Sequence, residues 1–308
     1  MKLQQLRYLC ETDAQNLNLS KAAKILHTSQ PAISKQIQLL EEELGVDILV
    51  RNGKRIIQIT PPGKMIIQIA NRILRDADNL KKVAQEFTDE ARGTLTIATT
   101  HTQARYVLPP VIKQFTLRYP KVKLILRQGS PTQISALVTS GEADIAIATE
   151  AIEHFQELVM LPCYEWNRCV IVPPKHPLLK LDKLTLEAIS RYPIITYDFA
   201  FTGRSKINQA FERVGLTPNV VLTAIDSDVI KTYVELELGI GILAKMAFDQ
   251  VRDKHLRSID ASHLFESSTT RIGISKNSFL RGYILDFITM FAPHLDKQKI
   301  KQKLGKTD

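Results

Sequence analysis

The stretch from Ser20 to Leu44 constrains the fold most, because it reads as two helices joined by a tight corner. Ser20 is expected to cap the first helix by accepting a hydrogen bond from a backbone donor of its first turn. The predicted packed face of that helix consists of Ala22, Ala23, Ile25 and Leu26. A small helical domain at the N-terminus follows from this pattern.

The second helix is predicted to begin near Ser29, which can cap it, with Pro31 in its first turn. Its buried stripe is expected to consist of Ile33, Ile37, Leu40 and Leu44. Its outward face carries small, hydroxyl and amide side chains that suit a DNA major groove, since amides pair with base edges and hydroxyls hold phosphates. The candidate DNA contacts are Ser20, Thr28, Ser29, Gln30, Pro31, Ala32, Ser34, Lys35 and Gln38. Periodicity alone also allows an ordinary helical hairpin.

Two short β-branched runs, residues 48–50 and 56–59, flank the strong turn signal Asn52-Gly53. We interpret them as a wing hairpin whose tip contacts phosphates or the minor groove, with an ordinary solvated hairpin as the alternative. The candidate contacts on the wing are Arg51, Lys54 and Arg55. The runs AAKILHTSQPAISKQIQLLEEELG and VDILVRNGKRIIQITPPG resemble the winged helix-turn-helix of LysR-type transcriptional regulators. The resemblance implies promoter DNA as a partner.

A long helix is predicted from Pro62 towards Glu90. Its apolar residues alternate at spacings of four and three, which is typical of a heptad seam. The predicted dimerisation seam consists of Ile66, Ala70, Ile73, Ala77, Leu80, Ala84 and Phe87. Burial of this seam against the same chain is the alternative. A dimer would present two DNA-reading heads to two half-sites.

From Thr94 onward, strand patterns alternate with helix patterns, which predicts mainly parallel sheets covered by helices. The expected fold is multidomain: an α-helical winged helix-turn-helix, a long linker helix and a two-lobed α/β effector domain resembling periplasmic binding proteins. The predicted boundaries are 1–61, 62–92 and 93–308, with lobe I at about 93–163 and 269–296 and lobe II at about 164–268. The lysine-rich end after Leu295 is expected to be a mobile tail.

Hydroxyl and amide side chains follow several predicted strands at the starts of helices. Ligands of open α/β sheets bind at the carboxyl ends of strands, where helix N-termini present unpaired backbone donors. The candidate ligand contacts are Thr100, Thr102, Gln103, Ser130, Thr149 and Thr202. Each threonine taken alone could simply cap a helix. Arg105, Arg204 and His101 could add ligand contacts or lie on solvated surfaces.

The composition favours a soluble intracellular protein, and the motifs argue against an enzyme or a solute-binding protein. The chain has 308 residues and a net charge of +9, which favours a polyanionic partner. Its three cysteines lack zinc-ligand spacing and cannot all pair, and no apolar run reaches membrane-spanning length. We expect a reduced, soluble, cytoplasmic protein without a metal or cofactor. The GxSxG, GxxxxGK[ST] and HExxH signatures of enzymes are absent, and the winged head and lack of a signal peptide disfavour a solute-binding protein.

The runs TTHTQARYVLPPVIKQF, QGSPTQI and FTGRS resemble LysR-type activators of cysteine biosynthesis and sulfate assimilation genes. The resemblance implies a homodimer or homotetramer that acts with RNA polymerase, with N-acetylserine or O-acetylserine as inducer and sulfate or a related anion as opposing ligand. It also implies a sulfate site at Thr100, Thr102, Gln103, Thr149 and Thr202. A regulator of alternative sulfur-source use that responds to adenylylsulfate is the alternative within this family.

Replacing Lys35 with alanine tests the predicted reading helix. If this lysine meets a DNA phosphate, Lys35→Ala weakens promoter binding and lowers the slope of log affinity against log salt by about 1. The measurement is a salt series of fluorescence-anisotropy titrations with promoter DNA. Lys113→Ala, in a predicted helix of lobe I, serves as the matched control. An unchanged slope for Lys35→Ala would remove this lysine from the DNA contacts.

Overall fold

The computed structural model describes residues 1–53, 55–88, 91–149, 157–198, 204–276 and 278–305. Contacts divide the chain into two compact units, Met1–Gln85 and Glu86–Asp308. Each unit has its own buried apolar core. Among the described residues, no helix combines the length and apolar character needed to cross a bilayer.

The first unit is a three-helix domain with a β-hairpin. Its elements are α1 (Leu3–Ala14), α2 (Leu19–Ile25), α3 (Gln30–Leu44), β1 (Leu49–Asn52) and β2 (Arg55–Ile59), followed by the start of α4 (Pro61–Thr88). The two strands pair antiparallel as predicted for a wing. Leu9, Ile33 and Ile37 are fully buried where the helices meet. The predicted helix-turn-helix and wing are therefore both present.

The first of the two predicted helices begins two residues earlier than expected. The side chain of Asn18 caps α2 by accepting a hydrogen bond from the Lys21 amide at 3.0 Å. The prediction that Ser20 is the cap is wrong, because Ser20 already lies within the first turn. Ser29 caps α3 as predicted, accepting from the Ala32 amide at 3.3 Å. Gly45, with φ of 70°, ends α3 in the left-handed conformation that glycine adopts without strain.

Two residues of the predicted buried stripes are exposed. Ile25 is 50% exposed at the last position of α2, and Leu44 is 40% exposed at the last position of α3. The buried position in the last turns of α3 belongs instead to Glu41, which is 6% exposed. Glu41 Oε1 accepts hydrogen bonds from the amides of Ile48 and Leu49 at 2.8 and 2.9 Å. The start of β1 packs over this turn of α3 and brings two backbone N–H groups into a buried position. A carboxylate can accept their hydrogen bonds, whereas a leucine side chain cannot.

The first residues of the predicted seam of α4 pack into the core of the first unit. Ala70 is buried, and Ile66 and Ile73 pack against the core of the first unit. Leu80 and Phe87 are 73% and 88% exposed. Burial against the same chain thus accounts for the first three seam residues, while the later large ones keep exposed apolar surface.

The second unit contains two five-stranded sheets. The first lobe has the strand order β4-β3-β5-β12-β6 and the second has β11-β7-β10-β8-β9. The strands are β3 (Gly93–Thr99), β4 (Val122–Gln128), β5 (Ile145–Thr149), β6 (Leu158–Trp166), β7 (Arg168–Val172), β8 (Ile194–Tyr197), β9 (Val220–Ala224), β10 (Ile240–Ala244), β11 (Arg257–Asp260) and β12 (Ser268–Ser275). The helices are α5 (Leu108–Arg118), α6 (Pro131–Ser140), α7 (Leu186–Ser190), α8 (Arg204–Arg213), α9 (Ser227–Glu235), α10 (Gly282–Phe291) and α11 (Lys297–Lys303).

Both sheets are mixed, so the prediction of mainly parallel sheets is wrong. Strand β3 pairs in parallel with β4 and β5, and β8 pairs in parallel with β9 and β10. Strands β6, β7, β11 and β12 form only antiparallel pairs. These four strands carry the chain between the lobes, so they run against the strands of the βαβ units. The crossings lie between β6 and β7 and between β11 and β12.

The C-terminal segment is folded where a mobile tail was predicted. Asp296 caps α11 by accepting from the Lys299 amide at 2.7 Å. Ile300 of this helix is fully buried and Leu304 is nearly so, and both belong to the core of the first lobe. Two apolar residues spaced four apart therefore hold this lysine-rich helix on the lobe.

Substituting Glu41 tests whether its carboxylate holds α3 to the wing. Glu41→Ala leaves two buried amides without an acceptor, and each such group costs about 1–3 kcal/mol. We expect the free energy of unfolding of the first unit to fall by about 2–5 kcal/mol. Native-state hydrogen exchange of α1–α3 amides measures it, with the exposed Glu42→Ala as control. Equal exchange in the two variants would contradict this role.

Candidate DNA-binding and effector-binding sites

The predicted reading surface lies on the solvent side of α3. Gln30, Pro31, Lys35 and Gln38 are exposed, while Ala32 and Ser34 are half-buried beside them. On the preceding segment Ser20 and Ser29 are exposed and Thr28 is half-buried. The Ser20 hydroxyl donates a hydrogen bond to Gln30 Oε1 at 3.3 Å, which ties α2 to the start of α3. The structure therefore brings these candidate contacts together on one face.

The wing lies beside the start of the reading helix. A polar cavity of about 510 Å³ separates them, with Ser20 and Gln30 on one side and Asn52 and Arg55 on the other. Arg55 is exposed there. A DNA strand that followed this groove would meet hydroxyl, amide and guanidinium groups, which are the usual phosphate and sugar ligands.

Arg51 is engaged within the protein instead of projecting from the wing tip. Its Nη2 atom lies 2.6 Å from Glu41 Oε2, and its side chain is 23% exposed. This ion pair completes the coordination of the Glu41 carboxylate. Lys54, the third predicted wing cation, lies outside the described residues. Of the two described, Arg55 is the one on the exposed groove.

Four of the predicted effector residues converge at the carboxyl ends of β3 and β5. Thr100, Gln103 and Thr149 are 4%, 2% and 2% exposed, and Thr102 is half-buried. They lie at the mouth of lobe I, as expected for strand ends of an open α/β sheet. Ser130 lies after β4, where it caps α6 in a capping box with Gln133. Thr202 lies outside the described residues.

A buried network of polar side chains holds Gln103. Its Nε2 atom donates to Thr270 Oγ1 at 3.2 Å, and its Oε1 atom accepts from the Tyr164 hydroxyl at 2.5 Å. The Thr149 and Thr270 hydroxyl oxygens lie 3.4 Å apart. Burial raises the pKa of Tyr164 to about 12. Tyr164 therefore remains a neutral donor, and the Gln103 amide has one fixed orientation.

Lobe II faces these residues with Tyr197 and Ser227. The Tyr197 hydroxyl lies 2.7 Å from Ser227 Oγ, accepts from the Ala244 amide at 3.2 Å and lies close to the Thr102 side chain. Burial raises the pKa of Tyr197 despite these hydrogen bonds. Ser227 begins α9, so its neighbourhood offers unpaired helix N-terminal donors. Thr102 is thus the predicted residue that the structure places against the opposite lobe.

Arg204, Arg105 and His101, which the sequence allowed either as ligand contacts or as surface residues, all have partners within the protein. Arg204 is 5% exposed and points inward, where its Nε atom donates to Asn208 at 3.0 Å and Nη1 to the Tyr197 carbonyl at 3.4 Å. Arg105 and His101 both face Asp228 of lobe II. The Arg204–Asn208 bond lies within α8, but the contacts of Arg204 with Tyr197 and of Arg105 and His101 with Asp228 join different elements. Periodicity does not reveal those contacts.

Sequence reasoning missed Tyr164, Thr270, Tyr197 and Ser227. Each lies in a strand or helix start whose local pattern indicates only core or cap. Thr270 was one hydroxyl in the strand run TTRIGIS, and Ser227 follows the helix cap Asp226. A search for polar residues in otherwise apolar strands would have found Thr270, because a buried hydroxyl requires a partner.

Family models match both parts of the chain. The model described as "Bacterial regulatory helix-turn-helix protein, lysR family" matches residues 3–64, and "LysR substrate binding domain" matches residues 88–296. The chain belongs to the LysR family of transcriptional regulators. The predicted family, the fold class and the class of regulator as opposed to enzyme are thereby confirmed. A LysR-family protein binds promoter DNA through its helix-turn-helix and a small-molecule effector through its second domain.

Within the LysR family, the chain is similar over nearly its full length to regulators named SsuR and CysB. The chain is 56% identical to the HTH-type transcriptional regulator SsuR of Burkholderia cenocepacia, over 97% of both chains. It is 53% identical to the HTH-type transcriptional regulator CysB of Haemophilus influenzae, over 98% of this chain and 93% of the relative. Among solved structures, the chain is similar to the crystal structure of the cofactor-binding domain of the Cbl transcriptional regulator, with 44% sequence identity and a TM-score of 0.68. The match covers 70% of this chain and 95% of the Cbl domain.

The three cysteines of this LysR-family chain are protected thiols. Burial raises the pKa of Cys10 and Cys163 to about 12 and that of Cys169 to about 11. At pH 8 the thiolate fraction is then about one in a thousand or less. We expect slow reaction of the native protein with Ellman's reagent, and three rapid equivalents after unfolding in urea. A native thiol that reacts as fast as free cysteine would contradict this.

Proposed function

We propose that this protein activates genes of cysteine biosynthesis and sulfate assimilation, under control of a small sulfur-related effector in the cleft between its lobes. The observation that carries the proposal is the convergence of Thr100, Thr102, Gln103 and Thr149 at the mouth of lobe I, opposite Tyr197. The names of the relatives SsuR, CysB and Cbl support a sulfur-related role. The proposed effectors are N-acetylserine or O-acetylserine as inducer and sulfate or a related anion as opposing ligand.

The chemistry of the cleft supports a compact anion. Its lining groups are hydroxyls and an amide at the starts of helices, where backbone amides also point outward. Sulfate has four acceptor oxygens and no donor, so it matches a ring of donors. Cations at the cleft, Arg105 and Lys231, lie against Asp228. Hydrogen bonds from neutral groups are therefore the main recognition that the described residues offer.

We propose that the protein binds promoter DNA as a homodimer or homotetramer and acts with RNA polymerase in the cytoplasm. The exposed apolar side chains Leu80 and Phe87 of α4 support a subunit contact along this helix. Two linked heads gain affinity and read two half-sites. The effector is proposed to favour one quaternary state over another, with a typical coupling of about 1–3 kcal/mol.

Calorimetric titration of the full-length protein tests the proposed effector class. We expect saturable, stoichiometric binding of sulfate and of at least one acetylserine, and an effector-dependent change in the length of the DNase footprint on promoter DNA. A preference for adenylylsulfate over sulfate would favour control of alternative sulfur sources. If no sulfur compound bound, the proposed effector class would be wrong.

Replacing Thr102 with valine tests the placement of the site. Thr102→Val keeps the shape of the side chain but removes a hydroxyl that reaches lobe II, so we expect sulfate affinity to fall by about tenfold, the worth of one hydrogen bond to a charged ligand. Promoter affinity without effector should stay unchanged. Thr116→Val, on the exposed face of α5, is the matched control. Equal sulfate affinity in the two variants would place the site elsewhere.

A further inference from the structure

The segment after Thr102 forms a π-helical turn, Gln103–Val107, before α5 begins. Single π turns are frequently found at functional sites. This turn contains the candidate effector residue Gln103 at its start and Tyr106 near its end. Tyr106 belongs to lobe I, yet its side chain packs against the apolar cluster of lobe II.

Asp228 of lobe II receives three groups from this segment of lobe I. The Tyr106 hydroxyl donates to its Oδ1 atom at 2.5 Å, and Arg105 Nε lies 3.0 Å from its Oδ2 atom. His101 Nε2 lies 3.8 Å from the same Oδ2. The Asp228 carboxylate thus contacts three side chains of the segment His101–Tyr106. Each of these contacts joins lobe I to lobe II.

Lys231 completes the arrangement from within lobe II. Its Nζ atom lies 3.3 Å from Asp228 Oδ1 and 3.1 Å from Asp253 Oδ1, and it donates to the Ala247 carbonyl at 3.0 Å. The same ammonium lies 5.0 Å from the centroid of the Tyr106 ring. The Tyr106 side chain therefore meets a carboxylate with its hydroxyl and a buried cation with its ring.

Electrostatics keep these groups in the charge states that the contacts need. Burial alone would raise the pKa of Asp228, but the Tyr106 hydrogen bond and the charges of Lys231 and Arg105 outweigh it and lower that pKa. Burial, together with the hydrogen bond to Asp228, raises the pKa of Tyr106 to about 12. Near neutral pH the hydroxyl is a donor and the carboxylate an acceptor. Because cationic groups already surround Asp228, its proximity to His101 and Asp226 does not indicate a metal site.

We propose that Tyr106 and Asp228 are positioning residues for the effector site, forming a latch that closes lobe II onto the segment 100–107. Gln103 is held within lobe I by Tyr164 and Thr270, whereas Thr102 comes next to Tyr197 of lobe II only when the latch is formed. Latch closure and effector binding across the cleft are therefore one coupled equilibrium. The inference rests on the proposed effector function of the cleft. The new element is the pair Tyr106 and Asp228, which couples ligand binding to closure of lobe II on lobe I.

Two conservative variants of the full-length protein test the latch. Tyr106→Phe keeps the ring between the lobes and removes only the hydroxyl, and Asp228→Asn removes the charge at constant size. Asp260→Asn is the matched control, since Asp260 pairs with Lys245 inside lobe II at 2.8 Å. Hydrogen exchange of the 103–107 amides is measured without effector, and sulfate affinity is measured by calorimetry.

We expect both variants to exchange the 103–107 amides about tenfold faster or more, and to bind sulfate about 5- to 150-fold more weakly, the usual range of such coupling. The Asp260→Asn control should match the wild type in both measurements. Unchanged exchange would overturn the latch, and faster exchange with unchanged sulfate affinity would overturn the positioning role. Failure of the wild type to bind sulfate would instead count against the proposed function on which this inference rests.

Discussion

The arrangement of the two lobes depends on two connections, between β6 and β7 and between β11 and β12. Arg168 contacts both connections. This arginine is 1% exposed, at the start of β7, directly after the first crossing. Its Nη1 and Nη2 atoms donate to the Glu266 carbonyl and to Ser268 Oγ, both at 2.9 Å, at the second crossing. Its guanidinium also lies 5.1 Å from the centroid of the Trp166 ring. A buried guanidinium requires such partners, so the two crossings are fixed side by side.

The cleft follows from those crossings, because each lobe presents the carboxyl ends of its parallel strands to the other. On lobe I this places Thr102 and Gln103 opposite Tyr197, and a few residues later it places Tyr106 against Asp228. The proposed effector contacts and the proposed latch therefore use neighbouring residues of one segment. In that proposal, a ligand that orders the start of the segment also affects the contact at its end, which couples ligand binding to the relation between the lobes.

The first unit shows that a charge in the sequence need not be a charge available to DNA. Arg51 contributes to the basic count of the wing, yet it neutralises the buried Glu41 beside the amides of Ile48 and Leu49. In the sequence, Glu41 is the first of three consecutive acidic residues near the end of α3. Its burial arises from the return of β1 over α3, a contact between residues seven or more apart that helical periodicity cannot register.

The sequence alone determined the winged helix-turn-helix, the strand-helix alternation and the family, since these depend on local spacing, caps and turn residues. It also placed Thr100 and Thr149 at strand ends, because a strand that runs into a helix start is visible locally. Only the tertiary structure decided the side-chain partners of this region. Tyr164 meets Gln103, Thr270 meets Thr149 and Asp228 meets Tyr106, at separations of 61, 121 and 122 residues, where local propensity carries no information. Strand direction was decided in the same way, by two crossings that no local pattern encodes.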